Sequence, residues 1–431
     1  MKIIHTADVH LGSPLRGLES HWNEAADVSA DEIRRAPQRA FVNLVEFALA
    51  ERVDAVLIAG DLFDGAWRDF HTGLFFARQC DRLAEGDIRC VLVHGNHDAE
   101  SPITNKLKLP DNVHVLSSRH PETWKDERLG LAVHGQSFAR AAITENLALA
   151  YPKPLAGFCN MGLLHTAVDG ASAEHRPYAP CSSGQLAAHG YSYWALGHVH
   201  ARMVLHDDPP IVFSGNLQGR HARECGEKGF TLVEIEQSTG RTSHQSIVGD
   251  VVRWAHLKID LGEIASLEDA FELAHQRSRV ERELAGNRPI AMRIEFVGAT
   301  TLHATLTRTD PAEIRANLVR ATDEAGGGFW LERVVLGCTP AREAKRLLSG
   351  HSELAQMIEA VGHEADAISR DPAHFEGLEK LLADLLDLLP SECDGDDPLL
   401  QALRSKDLKS ILDCARQRAE AELLSLSDRA A

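Results

Sequence analysis

Apolar residues in this chain fall into short runs separated by longer stretches of helical period. Lys2 to Ala7, Ala55 to Ala59, Cys90 to His94, Leu131 to His134, Met161 to Leu164 and Trp194 to Leu196 are nearly unbroken apolar runs ended by Gly, His or Asp. Such runs predict strands buried on both faces. Within residues 31–52, Phe41, Leu44, Val45, Ala48 and Leu49 recur at helical spacing, and residues 70–83 repeat the pattern after the second run. Strands alternating with helices predict an α/β layered architecture. Two further runs, Ile211 to Ser214 and Phe230 to Glu236, continue the sheet around a connection punctuated by Gly215, Gly219, Gly226 and Gly229.

The pattern changes near residue 250. Ser266 and Asp269 form an S-x-x-D helix start, Ile290 to Val297 reads as a strand, Asp310-Pro311 opens another helix, and Phe329 to Leu336 returns as a strand. This predicts a small β-α-β-α-β unit closed by Pro340. Beyond it, three leucine-rich stretches (347–361, 375–389 and 399–426) read as helices broken by Pro390 and an acidic turn. The expected domains are residues 1–250, 251–340 and 341–431.

Composition changes little in that picture. The 431 residues are 44% hydrophobic and 25% charged, as in ordinary globular proteins, and no apolar stretch approaches the roughly 18 residues that span a bilayer. His5, Asp8 and His10 stand where a signal peptide would need its apolar segment, so the chain reads as cytoplasmic, with no membrane partner. Eight scattered cysteines form no CxxC pair and read as reduced thiols. The net charge of −18 argues against a freestanding basic nucleic-acid binder, but the acidity is regional. Residues 351–400 carry 13 Asp plus Glu against Arg370 and Lys380.

The candidate chemistry lies where the strands end. Five motifs occur in order: Asp8-Val9-His10, Gly60-Asp61-Leu62-Phe63-Asp64, Gly95-Asn96-His97-Asp98, His165, and Gly197-His198-Val199-His200. The extended backbone sends positions i and i+2 of Asp8-x-His10 and His198-x-His200 to the same side, so both residues of each pair face one cavity. The glycines allow sharp exits from the strands, bringing Asp61 and Asn96 toward the carboxyl edge of the sheet, where α/β folds bind ligands. The donors Asp8, His10, Asp61, Asn96, His165, His198 and His200 mix carboxylate, amide and imidazole without thiolate, a set suited to Mn, Fe or Zn. Seven donors exceed what one ion uses. Two ions about 3.5 to 4 Å apart, bridged by Asp61, would use them all and would clamp a phosphoryl group in displacement. Any one motif alone could be an ordinary loop; the conjunction of five points to metal. Of the remaining residues, Asp98 is expected to orient a ligand imidazole, His134 to serve only structure, and Asp64 could do either.

At these motifs the chain resembles the calcineurin-like metallophosphoesterases, and within them the SbcD-like DNA repair nucleases. The likeness is strong over about residues 1 to 250 and weak over 251 to 340. It implies a four-layer sandwich of two mixed β-sheets flanked by helices, with a small α/β capping domain and a helical C-terminal region. It further implies one divalent ion held by Asp8, His10, Asp61 and His200 and a second by Asp61, Asn96, His165 and His198, most simply both Mn²⁺. His97 would face the scissile phosphate and protonate or stabilise the leaving oxygen. The implied reaction is phosphodiester hydrolysis by water, on DNA, as an exonuclease with a possible endonuclease activity. After His200 the segment Ser214-Gly215-Asn216-Leu217-Gln218-Gly219-Arg220-His221, with Glu224, Gly226, Lys228 and Gly229, is closer to the YhaO-like branch, and Asp64 stands where some relatives carry histidine.

An acidic protein acting on DNA needs local cations. Arg220, Arg223 and Lys228 on the glycine-rich connection are candidate DNA contacts, as are Arg16 and Arg68. The leucine-rich C-terminal helices either cover the protein's own domains or dock a partner; the resemblance implies a coiled-coil ATPase of the SMC type, and a homodimer. The rival readings are a small-substrate phosphodiesterase or phosphatase, which needs little beyond the catalytic layers, and a non-catalytic scaffold.

Overall fold

The computed structural model describes residues 1–13, 33–65, 70–100, 107–168, 177–236 and 239–341, with isolated positions beyond. The predicted C-terminal helices, Arg16 and Arg68 lie outside the described residues. The rest divides into two compact units between Arg253 and Trp254.

In chain order, the first unit contains β1 (Lys2–Thr6), α1 (Ala36–Glu51), β2 (Ala55–Ala59), α2 (His71–Glu85), β3 (Arg89–Val93), α3 (Asn96–Glu100), β4 (Val113–Val115), β5 (Glu122–Asp126), β6 (Leu131–Gly135), β7 (Cys159–His165), α4 (Ser183–Ala187), β8 (Tyr193–Gly197), β9 (Met203–Asp207), β10 (Pro210–Phe213), β11 (Gly229–Ile235) and β12 (Thr242–Val248). These strands build two six-stranded sheets, ordered β12-β11-β1-β2-β3-β4 and β5-β6-β7-β8-β10-β9. In the first, β1 to β4 run parallel while β11 pairs antiparallel to β1 and to β12. In the second, β6, β7, β8 and β10 are parallel and the edge strands β5 and β9 antiparallel. Both sheets are mixed, as the sequence led us to expect.

Strand periodicity explains the layers. Ile4, Val56, Ile58 and Leu92 pack with Phe41, Leu44, Val45 and Phe76 of α1 and α2, while the alternate residues Ile3, Leu57, Ala59 and Val91 pack with Leu131, Met161, Leu163 and Ala195 of the second sheet. Each central strand is therefore buried on both faces, which is why these strands read as continuous apolar runs. The outer face of the second sheet, with Trp194, Leu196, Ile211 and Phe213, is covered by Ala148, Tyr151 and Leu186 of short segments.

The second unit carries β13 (Arg253–Asp260), α5 (Leu267–Ala285), β14 (Ile290–Val297), β15 (Ala299–Thr300), α6 (His303–Arg308), α7 (Pro311–Glu324), β16 (Phe329–Leu336) and β17 (Thr339–Pro340). Its sheet is ordered β13-β14-β16, with β14 and β16 parallel. The predicted helix starts are real caps: Ser266 Oγ accepts from the Asp269 N–H, and the Asp310 side chain accepts from the Ala312 N–H. Among the described residues no helix is long and apolar enough to cross a membrane.

Candidate metal centre

Five of the parallel strands deliver polar residues from their carboxyl ends. Beyond β1 and β2 the two chains keep pairing, with Asp8 N–H donating to Gly60 O (3.0 Å), His10 N–H to Asp61 O (3.0 Å) and Leu11 N–H to Leu62 O (2.8 Å). This tether fixes two motifs against each other. A third is added by Asp98, whose carboxylate accepts from the N–H groups of Phe63 (2.8 Å), Leu62 (3.2 Å) and Gly95 (2.9 Å). Asp98 therefore braces the two loops through their backbone; it does not orient an imidazole, and that expectation is corrected. His134 has the structural role expected of it, bonded to Thr123 and Asn160 and stacked on Tyr191.

The backbone reasoning also needs correction. Asp8, His10, Asp61 and His198 all have positive φ (50°, 48°, 51° and 103°), so the motifs do not continue as extended strands. After β1, β2 and β8 the chain instead turns through positive φ, a conformation that non-glycine residues adopt at a cost of about 1 to 3 kcal/mol. Gly60 and Gly95 give the close approach this requires: a β-carbon on Gly60 would strike the His165 ring, and one on Gly95 the Asp61 carboxylate.

Asp8, His10, Asp61, His165 and His198 are all nearly inaccessible, and Asn96 is 9% exposed. Asp61 Oδ2 lies 3.9 Å from His10 Nε2 and 3.6 Å from His165 Nε2, and His200 Nε2 lies 3.8 Å from Asp8 Oδ1. Three overlapping groups, Asp8–His10–His200, His10–Asp61–His97 and Asp8–Asp61–His165, each bring their ligand atoms within 4.8 Å of one another. The His198 ring packs edge-on to His165, with centroids 5.2 Å apart.

The hydrogen-bond bookkeeping fits cations. His165 Nδ1 donates to Ala59 O at 2.9 Å, so its Nε2 carries a lone pair, and that nitrogen faces the Asn96 Oδ1 acceptor at 3.1 Å. His200 Nδ1 donates to Glu224 Oε1 at 2.7 Å, which turns its Nε2 lone pair toward His10 Nε2 at 3.3 Å. Acceptors facing each other, as at His165 and Asn96, are satisfied by an ion between them, and His10 Nε2 joins them when its Nδ1 proton points to Asp64. Electrostatics agree: burial and then repulsion from Asp61 push the Asp8 carboxyl well up, and burial pushes Asp61 up to about 7 against the pull of His97. Burial also holds His165 down at about 4 and His10 well below its usual range, which favours the neutral form of these two imidazoles, as ligation requires.

Around these donors sits a ring of charge that the motif pattern did not reveal. Asp64 Oδ1 lies 3.3 Å from His10 Nδ1 and 3.4 Å from His97 Nδ1. Burial would raise its pKa, yet His10 and Arg220 hold it well below the carboxylate range. Glu224, 6% exposed, is likewise kept ionised against burial, by His200 and Arg220. Arg220, with its side chain 15% exposed, pairs with Glu224 at 3.1 Å and Asp64 at 3.6 Å, and Lys228 Nζ donates to His200 O at 2.9 Å. Two of the three expected DNA contacts are thus also bonded to residues of the site, while Arg223 is the exposed one. The His97 side chain is 36% exposed, its ring 5.0 Å from that of His10.

Residues 1–202 match the family described as calcineurin-like phosphoesterase, whose members use a dimetal centre, and residues 254–339 match the middle domain of metallophosphoesterase YhaO. The chain is 33% identical over 302 residues to the metallophosphoesterase YhaO of Bacillus subtilis (strain 168), covering 69% of this chain and 72% of that protein. It is 30% identical over 251 residues to the DNA double-strand break repair protein Mre11 of Aeropyrum pernix, covering 54% and 57% of the two chains. With the SbcD component of nuclease SbcCD from Rhodobacter capsulatus it shares 37% identity over 132 residues, 27% of each chain. The matched stretches thus span little more than half of that Mre11 and about a quarter of that SbcD. A pocket of facing acceptors, on two mixed sheets and in a sequence matching YhaO over most of its length, places the chain in the calcineurin-like metallophosphoesterase family, in its YhaO branch.

Proposed function

We propose that this chain is a dimetal phosphodiester hydrolase acting on DNA, as an exonuclease that works in repair beside an SMC-like coiled-coil ATPase. One ion is held by Asp8, His10, Asp61 and His200, the other by Asp61, Asn96, His165 and His198. The observation that carries the reading is the place of Asp61, whose Oδ2 is within 4 Å of both the His10 and the His165 Nε2 atoms. When bound, the cation pair, taken here as Mn²⁺, polarises the phosphate and acidifies water. Asp61 keeps the two ligand groups at a fixed spacing. His97, at the open side, has Nδ1 toward Asp64, leaving Nε2 to protonate the leaving oxygen.

DNA as the substrate is supported by the Mre11 and SbcCD relatives, and the ATPase partner by the naming of SbcD as one component of a two-part nuclease. The purified chain with Mn²⁺, assayed on linear, hairpin and circular DNA beside bis-p-nitrophenyl phosphate and cyclic AMP, tests the proposal. Degradation of linear DNA from its ends is expected. Turnover of only the small esters would reassign the chain to small substrates, and no turnover of any substrate by a metal-loaded protein would make it a scaffold.

A further inference from the structure

Glu224 lies 24 residues beyond His200, on the glycine-rich connection that precedes β11, and the sequence pattern that includes it gives it no role. Yet its carboxylate is buried and held from several directions. Oε2 accepts from Asn216 Nδ2 at 2.8 Å and from the Arg220 backbone N–H at 2.8 Å, while Oε1 accepts from His200 Nδ1 at 2.7 Å. The Asn216 N–H donates in turn to His200 O at 3.2 Å, and Lys228 Nζ to the same oxygen at 2.9 Å. His200 is thus gripped at its ring and at its carbonyl by one segment.

A competing donor stands beside that ring. Arg220 NH2 is 3.2 Å from His200 Nδ1, close enough to donate to it. A guanidinium has no acceptor, so with Arg220 alone the favoured neutral tautomer would put the proton on Nε2. That nitrogen faces His10 Nε2 and Asp8 Oδ1, where a lone pair is needed for ligation. Glu224 reverses the preference, because an ionised carboxylate can only accept and so keeps the proton on Nδ1.

We propose that Glu224 is a positioning residue that sets the tautomer of His200 against the opposing pull of Arg220, and so decides whether His200 can bind metal. The inference rests on the dimetal reading above. Loss of an outer partner of a ligand histidine typically lowers metal affinity about 10- to 100-fold. Glu224→Ala is expected to fall in that range for one of two Mn²⁺ ions in titration calorimetry, and Glu224→Gln to lose less, because its amide oxygen can still accept. The double variant Glu224→Ala, Arg220→Ala should regain part of the loss, since the donor that favours the wrong tautomer is gone.

The second readout needs no metal. ¹⁵N shifts of the His200 ring in the metal-free protein should report the proton on Nδ1 in the native chain and on Nε2 in Glu224→Ala. If the native protein binds no Mn²⁺, the dimetal reading fails. If it binds two ions and Glu224→Ala binds them equally well, or if Arg220→Ala deepens the loss in the double variant while ring shifts stay unchanged, the tautomer role is wrong.

Discussion

The backbone N–H of His198 donates to both carboxylate oxygens of Asp8, at 3.1 and 3.0 Å, joining the first motif of the chain to the last. This bond crosses from the sheet of β1 to that of β8, so Asp8 serves as a tie between layers as well as a candidate ligand. Without cations, the same carboxylate is buried beside Asp61 and repelled by it.

That repulsion has a measurable sign. Carboxyls whose folded pKa lies above the unfolded value stabilise the metal-free fold fully below the unfolded value, near 3.8, and lose that contribution as pH rises through the folded value, about 7 for Asp61. EDTA-treated protein should therefore lose stability between pH 4 and pH 8. Asp8→Asn, which keeps an acceptor for His198 but removes the charge, should melt higher than the native chain at pH 8, at about 2 to 4 °C per kcal/mol relieved, and the gap should close toward pH 5. Its gain in melting temperature on adding Mn²⁺ should be smaller. Parallel melting curves for the two metal-free proteins across this range would show that the carboxylates do not repel.

Two substitutions separate holding metal from using it. Asp61→Ala should lose metal and activity together. His97→Ala should retain two ions per chain by elemental analysis while turnover falls about 10²- to 10⁴-fold, the usual contribution of a positioned general acid. Loss of metal from His97→Ala would move it among the ligands.

The split among the basic residues predicts different phenotypes. Arg223→Ala should lower the slope of log affinity against log salt for DNA by about one, as expected for one lost phosphate contact. Arg220→Ala should change metal affinity more than the salt slope, since its guanidinium pairs with Glu224 and Asp64. Equal salt slopes for the native chain and Arg223→Ala would remove that contact.

Packing between β7 and β8 leaves no room at Gly162, which pairs with Trp194 across the ladder; a β-carbon there would overlap the indole ring. Gly162→Ala should cost about 1 to 3 kcal/mol in denaturant unfolding, the range for overfilled cores. A neutral result would mean that Trp194 has another rotamer available.

Much of this arrangement was legible in the sequence because central strands buried on both faces must be apolar throughout, and five of these runs lead into residues of the site. The strands that were missed lie at sheet edges. Glu122–Asp126 and Thr242–Val248 carry polar residues on both faces and are held by backbone pairing, which leaves no hydrophobic period to read. The left-handed backbone at Asp8 and His10 was hidden because neither residue is glycine. Asp98 and Glu224 were misassigned or overlooked for one reason: which partner a buried carboxylate finds depends on loops meeting in space, and spacing along the chain carries no record of it.

The clustered donors span residues 8 to 200 and come from both sheets, with Asp8, Asp61 and Asn96 following strands of one and His165 and His198 those of the other. No fragment ending before residue 200 presents the full set, and neither sheet alone does so. The pocket can therefore form only after the two sheets have stacked, so any cation it takes up would mark the stacking of the first unit.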